Sequence, residues 1–436
     1  MAQDKSKPNE NFARSRDFLF NLRNRGSKYG LSRMETFARL AGNPERKFPV
    51  IHVAGTNGKG SVCALVESAL RMAGYRTGLY TSPHLVHLGE RIRVGGAITP
   101  EAEIVEQTAR LRTLAAEMDQ EGGEGYPSFF EFMTLMAFHR FAEAQVDCAV
   151  IEVGLGGRLD ATNVVRPEVT AITSIGLDHT EILGETHEQI AAEKAGILKS
   201  GVPVILGRLP EAAEAVIRAK AESQGCPVVS VQERFVGTDL PTTSLVGGFQ
   251  RWNAGVASLI LEAVGPRFPI SPDRVERAFH EIRWPGRWEE REVGGSRIVF
   301  DSTHNPEGAV ELDKNLRSRF GQPANQLDIV VGSLGKARVE AILRVVAPYA
   351  RRIFLVKPSQ PRALDFIEMK FLMPIGYTGA VCESSVDGLF PGGDQFTLSP
   401  GENPVLVTGS IYLLGEIYSR IDAPEGHSSD LQDRMP

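Results

Sequence analysis

The stretch "VIHVAGTNGKGSVCALVESAL", residues 50–70, decides how this chain folds. It opens as a largely apolar, β-branched run, passes through a glycine-rich turn and continues as an apolar segment of helical character. A strand that leads through such a turn into a helix aims the helix's free N–H groups and positive dipole end at the turn. Glycines let backbone approach an anion's oxygens, and Lys59 adds a cation, so the turn reads as a phosphate cradle. Its spacing departs from the common G-x-x-x-x-G-K-[ST] form: Val53 stands at the first glycine position and Gly60 at the hydroxyl position. Ser61 is then the first available hydroxyl, and Gly55, Thr56, Asn57, Gly58, Lys59, Gly60 and Ser61 are the candidate nucleotide contacts. The alternative, a glycine-rich turn that binds nothing, leaves Lys59 unexplained.

Outward from this segment the same alternation continues. "RTGLYTS", "CAVIEVG", "VTAITSIG" and "VPVILG" read as further strands, and "FEFMTLMAFHRFAEAQ" reads as a helix. "THEQIAAEKAGILKSG" opens with a Thr-x-x-Gln capping box and is expected to run as a helix to Gly201. After "RWPGRWEEREVGG", dense in Pro, Gly and charge, the strands "SRIVFDST", "LDIVVGS", "RRIFLVKP" and "PVLVTGS" follow. Strands alternating with helices predict an α/β protein: a P-loop-type, mostly parallel sheet domain with helices on both faces, plus a smaller C-terminal, Rossmann-like α/β domain. The expected division is 1–288, 289–422 and a flexible tail, 423–436.

Composition bounds the function classes. The 436 residues are 42% hydrophobic and 23% charged, enough for sizeable cores and two or more domains. The net charge of −6, with both signs interspersed, argues against a nucleic-acid partner. Cys63, Cys148, Cys226 and Cys382 lie far apart and read as reduced core residues, not as a zinc site or disulfide framework. No window approaches the roughly 18 apolar residues that a spanning helix needs, and the N-terminus lacks an apolar export signal. The expectation is a soluble, cytoplasmic monomer without a membrane partner.

"GTNGKGS" resembles the phosphate loop of the Mur ligase superfamily, and more closely that of folylpolyglutamate synthases and the bifunctional dihydrofolate/folylpolyglutamate synthases. "TSPHL" (81–85), "EVGLGGRLDATN" (152–163), "SIGLDHTEILGETHEQIAAEKAGI" (174–197), "PGRWE" (285–289) and "DSTHNPEGA" (301–309) follow in that family's order. The resemblance runs from about residue 27 to 417 and implies an ATP-dependent amide ligase that adds L-glutamate to a folate carboxylate.

Several residues acquire expected roles from it. Glu152 ends an apolar run, where a strand delivers a side chain to the crevice at a sheet's carboxyl edge. By resemblance, Ser82 and Glu152 hold one Mg²⁺ and His179 helps to hold a second. The other readings are a strand-end carboxylate capping the next loop, a turn hydroxyl before Pro83 and a core or turn histidine. Lys194 reads alone as a solvated helix lysine, whereas in some enzymes of the superfamily the matching lysine is carbamylated, which would turn a cation near two metal ions into an oxygen ligand. The resemblance further implies that Asp301 contacts the nucleotide, that His304 lies beside the reacting phosphate, and that Arg287 and Asn253 reach ATP. Thr303 replaces the family's usual alanine, and "VVGSLGKARVEAIL" lacks its acidic-basic "DKD" run. On the folate or dihydropteroate side the matching residues are Tyr29, Gly30, Ser128, Phe129, Phe130, Glu131, Leu159, Asp160 and Ala161. The two phenylalanines have the flat faces a pterin would stack on, but equally suit a core.

Such a ligase needs Lys59, His304 and Lys194 as catalytic groups but no side-chain nucleophile, because phosphorylation converts the carboxylate into an acyl phosphate that the amine of glutamate attacks. The rival readings are another Mur-type amino-acid ligase, a P-loop kinase or ATPase, and a non-catalytic nucleotide-binding regulator. "TSPHL" and "GLGGRLDATN" favour folate over a cell-wall precursor.

Overall fold

The computed structural model describes residues 7–22, 30–120, 125–236, 239–398, 401 and 403–422. Tyr29 and the tail 423–436 lie outside the described residues. The chain divides into two compact units. The first comprises Met1–Pro83, Gly89–Thr243 and Arg251–Ile282; the second comprises His84–Leu88, Ser244–Gln250 and Arg283–Pro436.

The first unit is built on an eight-stranded sheet. Its strands are β1 (Val50–Ala54), β2 (Thr77–Tyr80), β3 (Ile92–Val94), β4 (Ala97–Ile98), β5 (Cys148–Glu152), β6 (Val169–Ile172), β7 (Val204–Leu206) and β8 (Val228–Ser230), in the order β4-β3-β2-β5-β1-β6-β7-β8. From β2 to β8 all neighbours are parallel; β3 and β4 are added antiparallel at one edge. Strand β1 is central and buried along its whole length, which is why it reads as a nearly unbroken apolar run. Its one polar residue, His52, hydrogen-bonds Thr162 Oγ1 through Nε2 at 2.9 Å. Burial, reinforced by Lys199, lowers this imidazole to about 3, so it is neutral at physiological pH. Register sets Val53 beside Glu152, so the phosphate turn after β1 and the carboxylate ending β5 emerge at the same carboxyl edge.

The second unit holds a six-stranded sheet of β9 (Glu289–Val293), β10 (Ser296–Asp301), β11 (Leu327–Val331), β12 (Ala350–Val356), β13 (Ala380–Ser384) and β14 (Val405–Thr408), in the order β13-β12-β11-β14-β10-β9. All neighbours are parallel except β10 and β9. Two apolar layers cover it, one centred on Leu316, Ile329 and Leu343 and the other on Phe300, Leu414 and Tyr418. Both sheets are therefore mixed α/β and mostly parallel, as the alternation predicts.

Local differences have local causes. The Thr186 capping box forms with Gln189, but the helix is only His187–Lys194, followed by a 3₁₀ turn to Ile197. Gly201, the expected helix end, sits beyond it in a turn at φ +73°. All four cysteines are free; three are buried, whereas Cys382 on edge strand β13 is only partly so. Among the described residues no helix is long and apolar enough to cross a membrane.

Candidate active site

The turn after β1 is held by its neighbours. Gly55 has φ +151°, and a side chain there would run into Thr173; Gly58 has φ +86° and lies against the Asn253 amide. Both glycines are required by conformation and by space. The turn is latched to the end of β6: Thr56 N–H donates to Ser174 O at 2.8 Å, Asn57 N–H to Ser174 Oγ at 2.9 Å, and Thr173 Oγ1 to Asn57 O at 2.6 Å. Sequence reasoning passed over Thr173 and Ser174, although two hydroxyls closing the run "VTAITSIG" were the available signal. The helix Lys59–Met72 starts within the turn, with Gly58 as its cap and no capping side chain. Thr56 to Gly60 are partly exposed and Ser61 is buried. Lys59 Nζ folds back to donate to Gly55 O and Thr56 O, each at 3.0 Å.

Around this cradle the structure gathers four of the expected residues, Lys194, Ser82, Glu152 and Asn253. Lys194, buried at the end of the helix His187–Lys194, also donates to Gly55 O at 3.0 Å. Burial first, and the Lys59 cation second, lower its ammonium from 10.5 to about 7. Ser82 N–H donates to Glu152 Oε2 at 3.1 Å, bringing the serine and the buried carboxylate together. Glu152 and the Ser82 hydroxyl are hard oxygen donors of the kind magnesium takes, and one or two carboxylates per ion is its usual protein share. The donor set therefore fits Mg²⁺, although no group of three or more His, Cys, Asp or Glu side chains suited to a metal occurs among the described residues. His179 follows Asp178 in the left-handed region at φ +52°, its N–H bonded to Asp178 Oδ1 at 3.0 Å. Asn253, on the helix Gly248–Val264, abuts the phosphate turn itself at Gly58.

The residues matched to folate have firm structural duties. Ser128 caps the helix Phe129–Glu143 in a reciprocal box with Glu131. Glu131 is also paired in the interior with Arg33, whose Nε lies 2.9 and 2.8 Å from its two oxygens. Phe129 is buried against Phe20, with the Arg91 guanidinium 5.2 Å from its ring centroid. Phe130 remains partly exposed, 6.1 Å from Tyr80 and beside Gly154, where any side chain would strike its ring. Asp160 is buried and accepts the N–H groups of Leu155 at 2.9 Å and Thr162 at 3.0 Å; burial pushes its carboxyl up. Ala161 is buried, whereas Leu159 and Gly30 are partly exposed.

In the second unit, Asp301 ends β10 and spends both oxygens on its surroundings, accepting Thr303 N–H at 3.0 Å and Trp288 N–H at 3.2 Å. Ser302 N–H donates to Gly286 O at 2.9 Å. These bonds lay the turn carrying Arg287 beside the loop carrying His304. The His304 Nδ1 lies 2.9 Å from Ser302 O. Because a carbonyl only accepts, Nδ1 carries the proton, and a neutral ring keeps its lone pair on Nε2.

This arrangement, a glycine cradle on a helix N-terminus beside a strand-end carboxylate, defines a Mur-type nucleotide-dependent ligase, and the Mur ligase middle domain family matches residues 53–235. The chain is 34% identical over 421 residues to the dihydrofolate synthase/folylpolyglutamate synthase of Bacillus subtilis, covering 91% of this chain and 96% of that protein. A folylpolyglutamate synthase of Mycobacterium tuberculosis, solved with ADP and AMPPCP, superposes with a TM-score of 0.82 at 28% identity, covering 94% of this chain and 98% of that one. Escherichia coli FolC, solved with DHPP and ADP, superposes with a TM-score of 0.79 at 31% identity over the same shares. The chain belongs to the folylpolyglutamate synthase and dihydrofolate synthase family.

Proposed function

We propose that this protein is an ATP-dependent ligase that joins the amine of L-glutamate to a γ-carboxylate of a reduced folate, and that it also accepts dihydropteroate. The observation that carries the reading is the Gly55–Ser61 cradle, with Lys59 at the start of a helix and Glu152 and Ser82 at the neighbouring strand end. The complexes of its relatives with ADP, AMPPCP and DHPP support it.

A carboxylate oxygen is a poor leaving group, so the acid must be activated. In the proposed reaction a substrate carboxylate oxygen attacks the γ-phosphorus, the bond to the β-phosphate oxygen breaks, and ADP leaves an acyl phosphate. Lys59 leaves its two backbone acceptors for the phosphates, while the helix N–H groups face the same charge. The amine of glutamate, once deprotonated, adds to the acyl carbon, and the tetrahedral species expels inorganic phosphate to give the amide. Alignment of reactants supplies much of the acceleration, up to about 7–11 kcal/mol in intramolecular models.

Ser82 and Glu152 would hold one magnesium ion and His179 would help with a second; when bound, these ions supply charge neutralisation at the phosphates. The low proton affinity of Lys194 suits carbamylation, since only the neutral amine reacts with carbon dioxide. Asp301, Arg287 and His304 are assigned to handling the nucleotide and reacting phosphate, with Nε2 of His304 as a proton acceptor. Tyr29, Gly30, Phe130, Leu159 and Ala161 are assigned to the folate side, and Ser128, Glu131 and Asp160 to shaping it. The proposed functional domains are 1–288 and 289–422, whereas the compact units divide between Ile282 and Arg283, with His84–Leu88 and Ser244–Gln250 also in the second.

The test is an ADP-release assay with purified protein, offered dihydropteroate or a reduced folate, with and without L-glutamate. Release that requires both the pterin acid and the amino acid supports the ligase; release indifferent to glutamate refutes it and favours a kinase or simple ATPase.

A further inference from the structure

The end of β6 acts on the phosphate turn through two hydroxyls. Thr173 Oγ1 lies 2.6 Å and Ser174 Oγ 3.0 Å from the carbonyl oxygen of Asn57. A carbonyl only accepts, so both hydroxyls donate, and together they occupy its two lone pairs. Thr173 is buried, which keeps water from competing for its bond.

The three peptides of the turn are not oriented alike. The carbonyls of Gly55 and Thr56 accept Lys59 Nζ, while the N–H groups that follow them, of Thr56 and Asn57, donate to Ser174 O and Ser174 Oγ. The next peptide is reversed, because its carbonyl, Asn57 O, faces β6. The Asn57–Gly58 bond is trans, so its N–H points away from its carbonyl. The Gly58 N–H is thereby turned from β6 towards the side on which Lys59 meets the other two carbonyls. Gly58, at φ +86° and ψ −13°, followed by the helical Lys59, forms a left-handed and right-handed pair, the backbone nest whose successive N–H groups converge on an anion.

We propose that Thr173 and Ser174 are positioning residues: their hydroxyls hold the Asn57–Gly58 peptide reversed, so that the nest offers the Gly58 N–H, and not the Asn57 carbonyl, to the nucleotide phosphates. This role presupposes the nucleotide reading of the cradle. Glycine at 58 tolerates many backbone settings, so the choice between them falls to the hydroxyls. Released from them, the peptide can turn over and bring a carbonyl's partial negative charge to the place where the anion sits.

The experiment is calorimetric titration of the whole protein with ADP and magnesium, followed by steady-state kinetics. Thr173→Val with Ser174→Ala should weaken ADP at least about tenfold, the worth of one hydrogen bond to a charged group. It should also lower kcat and leave the KM for the pterin acid unmoved. Thr173→Ser with Ser174→Thr keeps both hydroxyls and should keep ADP affinity and kcat near the wild type. Thr173→Val alone, close to isosteric, should show a smaller loss of the same pattern and serves if the double variant does not fold. Unchanged ADP affinity without the hydroxyls, an equal loss in the variant that keeps them, or a pterin KM that rises alongside would overturn the proposal. Because the titration involves no turnover, wild-type protein that binds ADP yet fails the ligase assay would refute the ligase alone, whereas no ADP binding to the wild type would refute both.

Discussion

Lys59 and Lys194 share one acceptor: each Nζ lies 3.0 Å from the carbonyl oxygen of Gly55. Two ammonium groups on a single oxygen repel each other, and the more deeply buried one gives way. Burial first, and this neighbouring cation second, lower the Lys194 ammonium to about 7.

A stability profile should reveal this. From about 7 to 10.5 the unfolded chain holds a proton on Lys194 that the folded chain has released, so stability attributable to this group rises with pH across that window. Below it the protein carries the full cost of a charged, buried amine. Lys194→Met should therefore gain stability over the wild type in acid, with the advantage shrinking towards pH 10. Denaturant unfolding at several pH values checks it; a pH-independent difference between the two proteins would discard the account.

Lys59→Ala should abolish turnover while preserving the fold, because the lysine bonds only backbone carbonyls of its own turn. Circular dichroism and ADP release measure the two halves of the claim. Normal turnover in the variant would refute the phosphate role.

His304→Ala should lower kcat more than it weakens ATP binding, since the proposed role of the imidazole, oriented by the bond between its Nδ1 and Ser302 O, lies in the reaction. Steady-state kinetics together with nucleotide titration separate the effects. The reverse pattern would assign the histidine to binding alone.

Arg33→Ala should cost stability by about 3–5 kcal/mol, as removing one partner leaves the Glu131 carboxylate charged in the interior. The paired change Arg33→Met with Glu131→Gln should recover a large part of the loss. Urea unfolding gives both numbers, and a double variant no better than the single one would contradict the pairing.

Much of the architecture was readable because fully buried parallel strands leave continuous apolar runs: β1, β5 and β6 each appear as one. The edges were not readable. Strand β9, "EEREV", is mostly charged, and β4 is two exposed residues long, so neither carries a periodic signal. At the site, the nearness of Glu152 to Ser82 was legible because both close strands of one sheet. The bond between Arg33 and Glu131, 98 positions apart, was not, because only the folded helices bring these residues together. The capping box of the helix His187–Lys194 was visible from Thr186 and Gln189, whereas its early end depends on packing that no local residue announces.

The contact between Gly58 and Asn253 bears on how this family's loops can drift. A side chain at 58 is barred twice, by its left-handed backbone and by the amide opposite. Trimming Asn253 would lift only the second bar. Compensating exchange between the two positions should thus be a dead end for neutral variation, and descendants of this gene should keep the glycine even where the amide has been lost.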